Sequence, residues 1–305
     1  MSAGPRNSRN VGLPIDLVWQ AAGRDAGRDE GPSSGAQAAE MRGGAMPPAL
    51  AQRFPGELSV PLRPDGPVLI ANFVSSLDGV VSLGSGVAGS GGEISGYSEA
   101  DRFMMALLRG LADAIVVGAG TVRAGSRHEW TSRRLQPDLA AEFAAWRAAL
   151  GLAPQPTTVL VTARGEIDPA HPGLNAPDVP VTLATTGDGQ RRLSSLALPP
   201  NVTIAACGRG GRVRPDELLG LLHDGGARLA LCEGGPHLFS QLLEAGLVDE
   251  LFLTVAPHLV GRDDGSRRLG LVEGTAFPDG RGRWARLQSI RRARDDLFLR
   301  YRLGA

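Results

Sequence analysis

Lysine is absent from this chain: all 32 basic residues are arginine. That excludes a Schiff-base nucleophile, a pyridoxal-phosphate anchor and the lysine of a phosphate-binding P-loop. Cysteine is scarce as well. Cys207 and Cys232 each close an apolar run, stand at no metal-ligand spacing and read as core thiols. Net charge is missing too, because 32 acidic residues balance the arginines, so no broad field favours nucleic acid or an anionic membrane surface. Any bound phosphate has to be held locally. No apolar run approaches the ~18 residues of a membrane span, and the N-terminus lacks the apolar core of a secretory signal. A cytosolic location, with neither nucleic acid nor membrane as partner, is the expectation. His128, His171, His223, His237 and His258 form no metal-ligand pattern and no triad, so each reads as surface or loop and no metal site is expected.

What is present is a chain of 305 residues, enough for one large domain or two small ones. Residues 1–60 are rich in Gly, Ala, Arg, Pro and Ser, with little hydrophobic periodicity. Such a composition cannot bury enough apolar surface to offset its ordering entropy, so a disordered leader is expected there, with Met41 or Met46 as alternative starts. A single domain follows over 61–305, its packed part running from about Pro67 to Leu303.

Short β-rich runs then alternate with amphipathic stretches. Strands are predicted at Val68–Val74, Ala114–Gly118, Thr157–Thr162, Val179–Ala184, Val202–Ala206 and Arg228–Cys232, and helices at Ser98–Asp113, Pro137–Leu150, Pro215–Asp224 and Pro236–Ala245. The helix opening at Ser98 carries Asp101 three residues on, a capping arrangement, and its apolar stripe is Phe103, Met104, Leu107, Leu108 and Leu111. This alternation predicts an α/β fold with a mostly parallel central sheet and helices on both faces. Three late strand-like runs, Glu250–Pro257, Trp284–Arg291 and Asp296–Arg302, predict an antiparallel extension at the C-terminus.

In an open α/β sheet ligands bind beyond the carboxyl ends of the strands, and four loops stand at such ends. The most informative is Glu233-Gly234-Gly235-Pro236, where a buried strand runs straight into a helix. Pro236 suits the first helical turn, the glycines let a ligand approach the backbone, and the helix start offers free N–H groups to an anion. An ordinary tight turn is the alternative. The run Ala114-Ile115-Val116-Val117-Gly118-Ala119-Gly120-Thr121-Val122-Arg123 resembles a dinucleotide fingerprint only superficially, since Arg123 stands where the third glycine belongs and no helical pattern follows at once. Close backbone approach at Gly118 and Gly120 survives that objection, as does a bare structural turn. Ser76 and Asp78, in Ser75-Ser76-Leu77-Asp78-Gly79, either face a ligand or pair with turn backbone. Thr162 ends its strand as an ordinary loop threonine would. Arg109 lies off the apolar stripe near the helix C-terminus, where a solvated cation is the simplest reading.

Together SSLDG, the ISG…ADRF…LLRGLADAIVVGAGTVR block, VLVT, EGGP and LTVAPHLVG resemble the reductase domain of bacterial bifunctional riboflavin-biosynthesis deaminase-reductases, a relative of dihydrofolate reductase. The signatures span roughly Val68 to Arg302. This resemblance implies a dihydrofolate-reductase-like three-layer fold, NADPH as hydride donor, and a 5-amino-6-ribosylamino-pyrimidine 5′-phosphate, deaminated or in its 2,5-diamino form, whose ribose is reduced to ribityl. It further implies that Gly118, Ala119, Gly120, Thr121, Val122, Thr162, Gly234, Gly235 and Pro236 contact the cofactor. Ser76, Asp78, Arg109 and Glu233 would face the substrate, with Asp78 and Glu233 nearest the chemistry and Arg109 near the phosphate. Family members pair as homodimers. Two departures stand out: Ala124-Gly125-Ser126-Arg127 replaces the acidic residue that often follows TVR, and no H-x-E…P-C-x-x-C zinc site for a deaminase is present. A reductase acting on another carbonyl, imine or pterin-like compound, or a non-catalytic binding paralogue, remains the alternative.

Overall fold

The computed structural model describes residues 12–21, 40–84, 90–123, 128–263, 265, 268–278 and 282–304. At its centre lies a ten-stranded sheet in the order β1-β13-β14-β12-β4-β11-β5-β6-β7-β8. Those strands are β1 (Asp16–Gln20), β4 (Val68–Ser75), β5 (Ala114–Gly118), β6 (Thr157–Val161), β7 (Val181–Thr185), β8 (Val202–Ala206), β11 (Leu229–Cys232), β12 (Glu250–Val255), β13 (Ala285–Ala293) and β14 (Asp296–Leu303); the short pairs β2 (Met41–Gly44) with β3 (Leu58–Pro61), and β9 (Gly208–Arg209) with β10 (Arg212–Val213), stand apart. From β12 to β8 every neighbour is parallel, whereas β14, β13 and β1 add on antiparallel. The expected mixed sheet is therefore present, with one adjustment: β12 itself runs parallel to β4, so the antiparallel part begins at β14. The central strands β4, β5 and β11 are almost continuously apolar because helices cover both of their faces.

On one face lie α1 (Pro48–Arg53), α3 (Glu99–Leu111), α6 (Ala140–Ala149) and α7 (Gly187–Leu193), whose Leu50, Phe103, Leu107, Trp146 and Leu193 join one core. On the other lie α8 (Pro215–Asp224) and α9 (Pro236–Glu244), packing Leu218, Leu222, Phe239 and Leu242 into a second. Three shorter helices, α2 (Ser90–Ser95), α4 (Ala119–Arg123) and α5 (Ser132–Leu135), border the carboxyl edge of the sheet. The α4 turn corrects the reading that no helix follows Gly118.

Side chains pin the strand starts. Asp113 accepts backbone N–H bonds from Arg228 and Leu229 at 2.9 and 2.8 Å, and Asp249 accepts one from Leu69 at 2.8 Å. Arg147 caps the end of α3 by donating to the carbonyls of Arg109, Gly110 and Ala112; burial pushes its pKa down to about 10.

Residues 12–21 and 40–60 do not behave as the disordered leader expected of 1–60. Ile15 and Leu50 are fully buried and Phe54 nearly so, β1 pairs with β13, and Arg291 stacks over the Phe54 ring at 3.7 Å. A few well-spaced apolar anchors suffice where a preformed sheet edge and core receive them, something average composition does not register. The remainder of that segment, 1–11 and 22–39, lies outside the described residues. So does the 124–127 loop.

Candidate active site

Parallel strands end at one edge, and there a cleft of about 1330 Å³ opens. Single-ligand pockets span roughly 300–1,000 Å³, so this volume suits two ligands side by side. Its floor is made by the tips of β4, β5, β6 and β11, its walls by α3 and the start of α9.

One half is lined by glycine and backbone. Gly118, Ala119, Gly120, Thr121, Thr162, Gly235 and Pro236, all expected at a cofactor site, border the cleft. The β5 and β11 tips touch directly, the Gly118 N–H donating to the Gly234 carbonyl at 2.6 Å. A Cβ on Gly118 would lie 3.4 Å from that carbonyl, and one on Gly235 would lie 3.3 Å from the Thr121 hydroxyl, so side chains there would fill the cradle. Gly234-Gly235 is a cis peptide. Gly235 is the N-cap of α9 without a side-chain cap, and no acidic residue occupies the first turn, which leaves the helix start free to meet an anion. Two expected contacts sit elsewhere: Val122 is packed in the core, and Gly234 lies against the Phe73 ring rather than on the cleft surface.

The other half is polar and buried. Arg109 is 1% exposed, not a solvated helix-end cation as its position off the stripe suggested. Its Nε and Nη2 donate to Glu233 Oε1 and Oε2, both at 2.6 Å, and Nη1 donates to the Thr131 carbonyl at 3.2 Å. This bidentate pair fixes the Glu233 carboxylate at the β11 tip, facing the cleft. His128 also lines it, and burial reinforced by the Arg109 charge pushes its pKa down. Nearby, His171 is buried with its ring stacked on Trp130, which corrects its reading as a surface residue.

Ser76 and Asp78 do not line the cleft. Asp78 accepts the Ser76 hydroxyl at 2.7 Å and the backbone N–H groups of Val260 and Gly261 at 3.1 and 2.7 Å, tying the β4 turn to the loop after β12. These donors hold its carboxyl far below the usual carboxylate range, led by the Ser76 bond. The turn-holding alternative for Ser76 and Asp78 is the one the structure displays.

Sequence reasoning passed over several lining residues. Asp101 and Met105 stand with the expected Arg109 at i, i+4 and i+8 on α3, a stripe aimed at the cleft beside the apolar one. Asn72 projects from β4. Arg123, Arg134, Arg164 and Arg212 are exposed along the cleft, and none of them has an ion-pair partner among the described residues. Alternation within β4 gave a signal for Asn72, an amide amid apolar residues; nothing in the sequence distinguished the rim arginines from the others.

A mixed α/β sheet with a large cleft at its carboxyl edge defines the class. The chain matches the model of the RibD C-terminal domain over residues 67–297, and it belongs to that family, an oxidoreductase family of riboflavin biosynthesis. It is 29% identical over 208 residues to the 2,5-diamino-6-ribosylamino-4(3H)-pyrimidinone 5′-phosphate reductase of Archaeoglobus fulgidus, covering 65% of this chain and 84% of that one. To the protein of the same name from Methanothermobacter thermautotrophicus it is 31% identical over 198 residues, covering 65% and 81%. Among solved structures, a pyrimidine reductase-like protein of Corynebacterium diphtheriae shares the fold with a TM-score of 0.58 at 24% identity, over 78% of this chain and 92% of that one. Acinetobacter baumannii RibD does so with a TM-score of 0.58 at 22% identity; the match covers 79% of this chain and 59% of RibD.

Proposed function

We propose that the protein is an NADPH-dependent reductase that converts the ribosyl group of a ribosylamino-pyrimidine 5′-phosphate to ribityl. The observation that carries this reading is one continuous cleft in which a glycine cradle adjoins the buried Arg109–Glu233 pair. The names of the archaeal relatives support the same substrate class.

Bound NADPH supplies the hydride, and no lysine, thiolate or metal is needed from the protein. Gly118, Ala119, Gly120, Thr121 and Thr162 would hold the cofactor, with Gly235-Pro236 at the start of α9 receiving a phosphate and Gly234 and Val122 supporting the cradle from behind. Arg164 and Arg212, exposed at the β6 end of the cleft, suit the additional phosphate that separates NADPH from NADH. On the substrate side, Arg123 and Arg134 would take the 5′-phosphate at the rim, while Glu233, held by Arg109, accepts donors from sugar or ring. Arg109 thus serves as the positioning residue of Glu233; both its terminal donor sets are already engaged, which leaves the phosphate to the rim arginines. A homodimer is proposed on the family resemblance, and sedimentation velocity reads it directly.

Mixing the purified protein with NADPH and the 2,5-diamino or deaminated pyrimidine 5′-phosphate tests the assignment. Cofactor oxidation should accompany a product two mass units heavier than the substrate. Tight NADPH binding without turnover of either compound would redirect the search to another carbonyl or imine. Replacing Arg164 with Ala should weaken NADPH binding about tenfold, ~1.4 kcal/mol, and leave NADH binding unchanged; equal loss for both cofactors would remove Arg164 from that role.

A further inference from the structure

Asp101 has no part in the reading above, yet it lies in the cleft wall at 4% exposure. Its place three residues after the Ser98 N-cap suggested a capping carboxylate. The cap is made instead by its backbone: the Asp101 N–H donates to the Ser98 hydroxyl at 3.3 Å, and that hydroxyl donates to Asp296 at 2.6 Å. The Asp101 carboxyl is left to a hydrogen bond with Thr254 from β12. No arginine pairs with it among the described residues. The charges that act on it are Asp296 from β14 and Glu233 from the β11 tip, both negative, and Arg109 on its own helix is committed to Glu233. Asn72 shares this wall. It follows Ile70 on the α3 side of the sheet, is 8% exposed, and its amide makes no hydrogen bond within the described residues.

A buried carboxylate without a cation is costly unless something donates to it. Thr254 is the side-chain donor it has among the described residues, and a ligand in the cleft can supply further ones. Resting on the proposed pyrimidine reductase, we infer that Asp101, with Asn72 on the same wall, reads the edge of the substrate's heterocycle and makes the enzyme selective for the 2,5-diamino pyrimidinone over its deaminated counterpart. The diamino ring carries an amino group next to a ring N–H, two adjacent donors that match the two oxygens of a carboxylate. In the deaminated ring that amino group is replaced by a carbonyl, and the remaining N–H lies between two carbonyl oxygens. An ionised Asp101 would face an acceptor with an acceptor, and a site built for hydrogen bonds rejects such a mismatch strongly.

Burial pushes the Asp101 carboxyl up to about 7, against the pull of the Thr254 bond and with Asp296 and Glu233 adding to the rise. Below that pH the neutral acid offers one donor and one acceptor, the complement of a carbonyl beside an N–H, so selectivity should fade as the solution is acidified.

The test compares kcat/KM for the two pyrimidine 5′-phosphates across pH 5.5–8.5 in the wild type, Asp101→Asn and Thr254→Val, with thermal unfolding and NADPH titration as controls. At pH 8 the wild type should favour the diamino compound roughly a hundredfold. Asp101→Asn carries one donor and one acceptor at every pH; it should lose most of that preference, flatten its pH dependence and keep NADPH affinity. Thr254→Val removes a donor from the carboxylate, so its loss of selectivity should begin at higher pH, a readout that survives if Asp101→Asn folds poorly. A wild type that turns over both compounds equally, or a preference unchanged in Asp101→Asn, overturns the inference while the reductase stands. Turnover of neither compound by the wild type overturns both.

Discussion

At the scale of single residues, the pair that organises the cleft is also its most vulnerable point. Arg109 and Glu233 are desolvated together, and each neutralises what would otherwise be an isolated buried charge. Removing one partner should therefore cost more than the pair contributes, on the order of 3–5 kcal/mol for Glu233→Leu in chemical denaturation. Adding Arg109→Met to that variant should restore most of the stability and none of the activity. A double variant as unstable as the single one would show that packing, not charge, dominates at this position. Gly118 makes the opposite prediction: its Cβ meets neighbours only at ordinary contact distance, so Gly118→Ala should shift thermal unfolding little while raising the NADPH dissociation constant about tenfold. Unaltered NADPH affinity in that variant would remove Gly118 from the cradle.

At the scale of elements, the short N-terminal pieces form part of the core. Leu50 of α1 is fully buried against the α3 face, and truncating it to Ala should cost about 2–5 kcal/mol; a surface-like change below ~0.5 kcal/mol would mean the segment is dispensable. This segment marks where sequence reading failed. Helix periods in Ser98–Asp113 and Pro215–Asp224 and unbroken apolar runs in Val68–Val74 and Arg228–Cys232 were legible because each element alone carries several consecutive burial signals. Segments such as Asp16–Gln20 carry almost none: every residue of that strand is exposed, and its pairing with β13 uses backbone that composition does not encode. The cradle was legible at Gly118 and Gly235-Pro236 because a tight strand-to-helix turn restricts which residues fit. Asp78 looked equally suited to chemistry. Its partners Val260 and Gly261 lie far along the chain, so only the fold reveals that its carboxylate is occupied.

At the scale of the whole molecule, carboxyls whose pKa is raised by burial should give stability a pH dependence. Asp101, raised to about 7, and Asp249 and Asp296, also raised by burial, bind protons more tightly folded than unfolded. Their stabilising effect is complete below about pH 4, where both states are protonated, and is lost as pH rises through the folded values. Urea midpoints should fall between about pH 4 and pH 7, and Asp101→Asn should flatten that slope; a parallel curve in the variant would place the Asp101 carboxyl in contact with water. Among the described residues no helix is long and apolar enough to cross a membrane. The proposed reaction requires two phosphorylated ligands to meet in one cleft. Its most direct test is a crystal structure of the protein with NADP bound. Phosphates should lie at the Gly235-Pro236 helix start and near Thr162, with the nicotinamide turned toward the Arg109–Glu233 pair. A cofactor seated elsewhere, or a nicotinamide pointing away from Glu233, would contradict it.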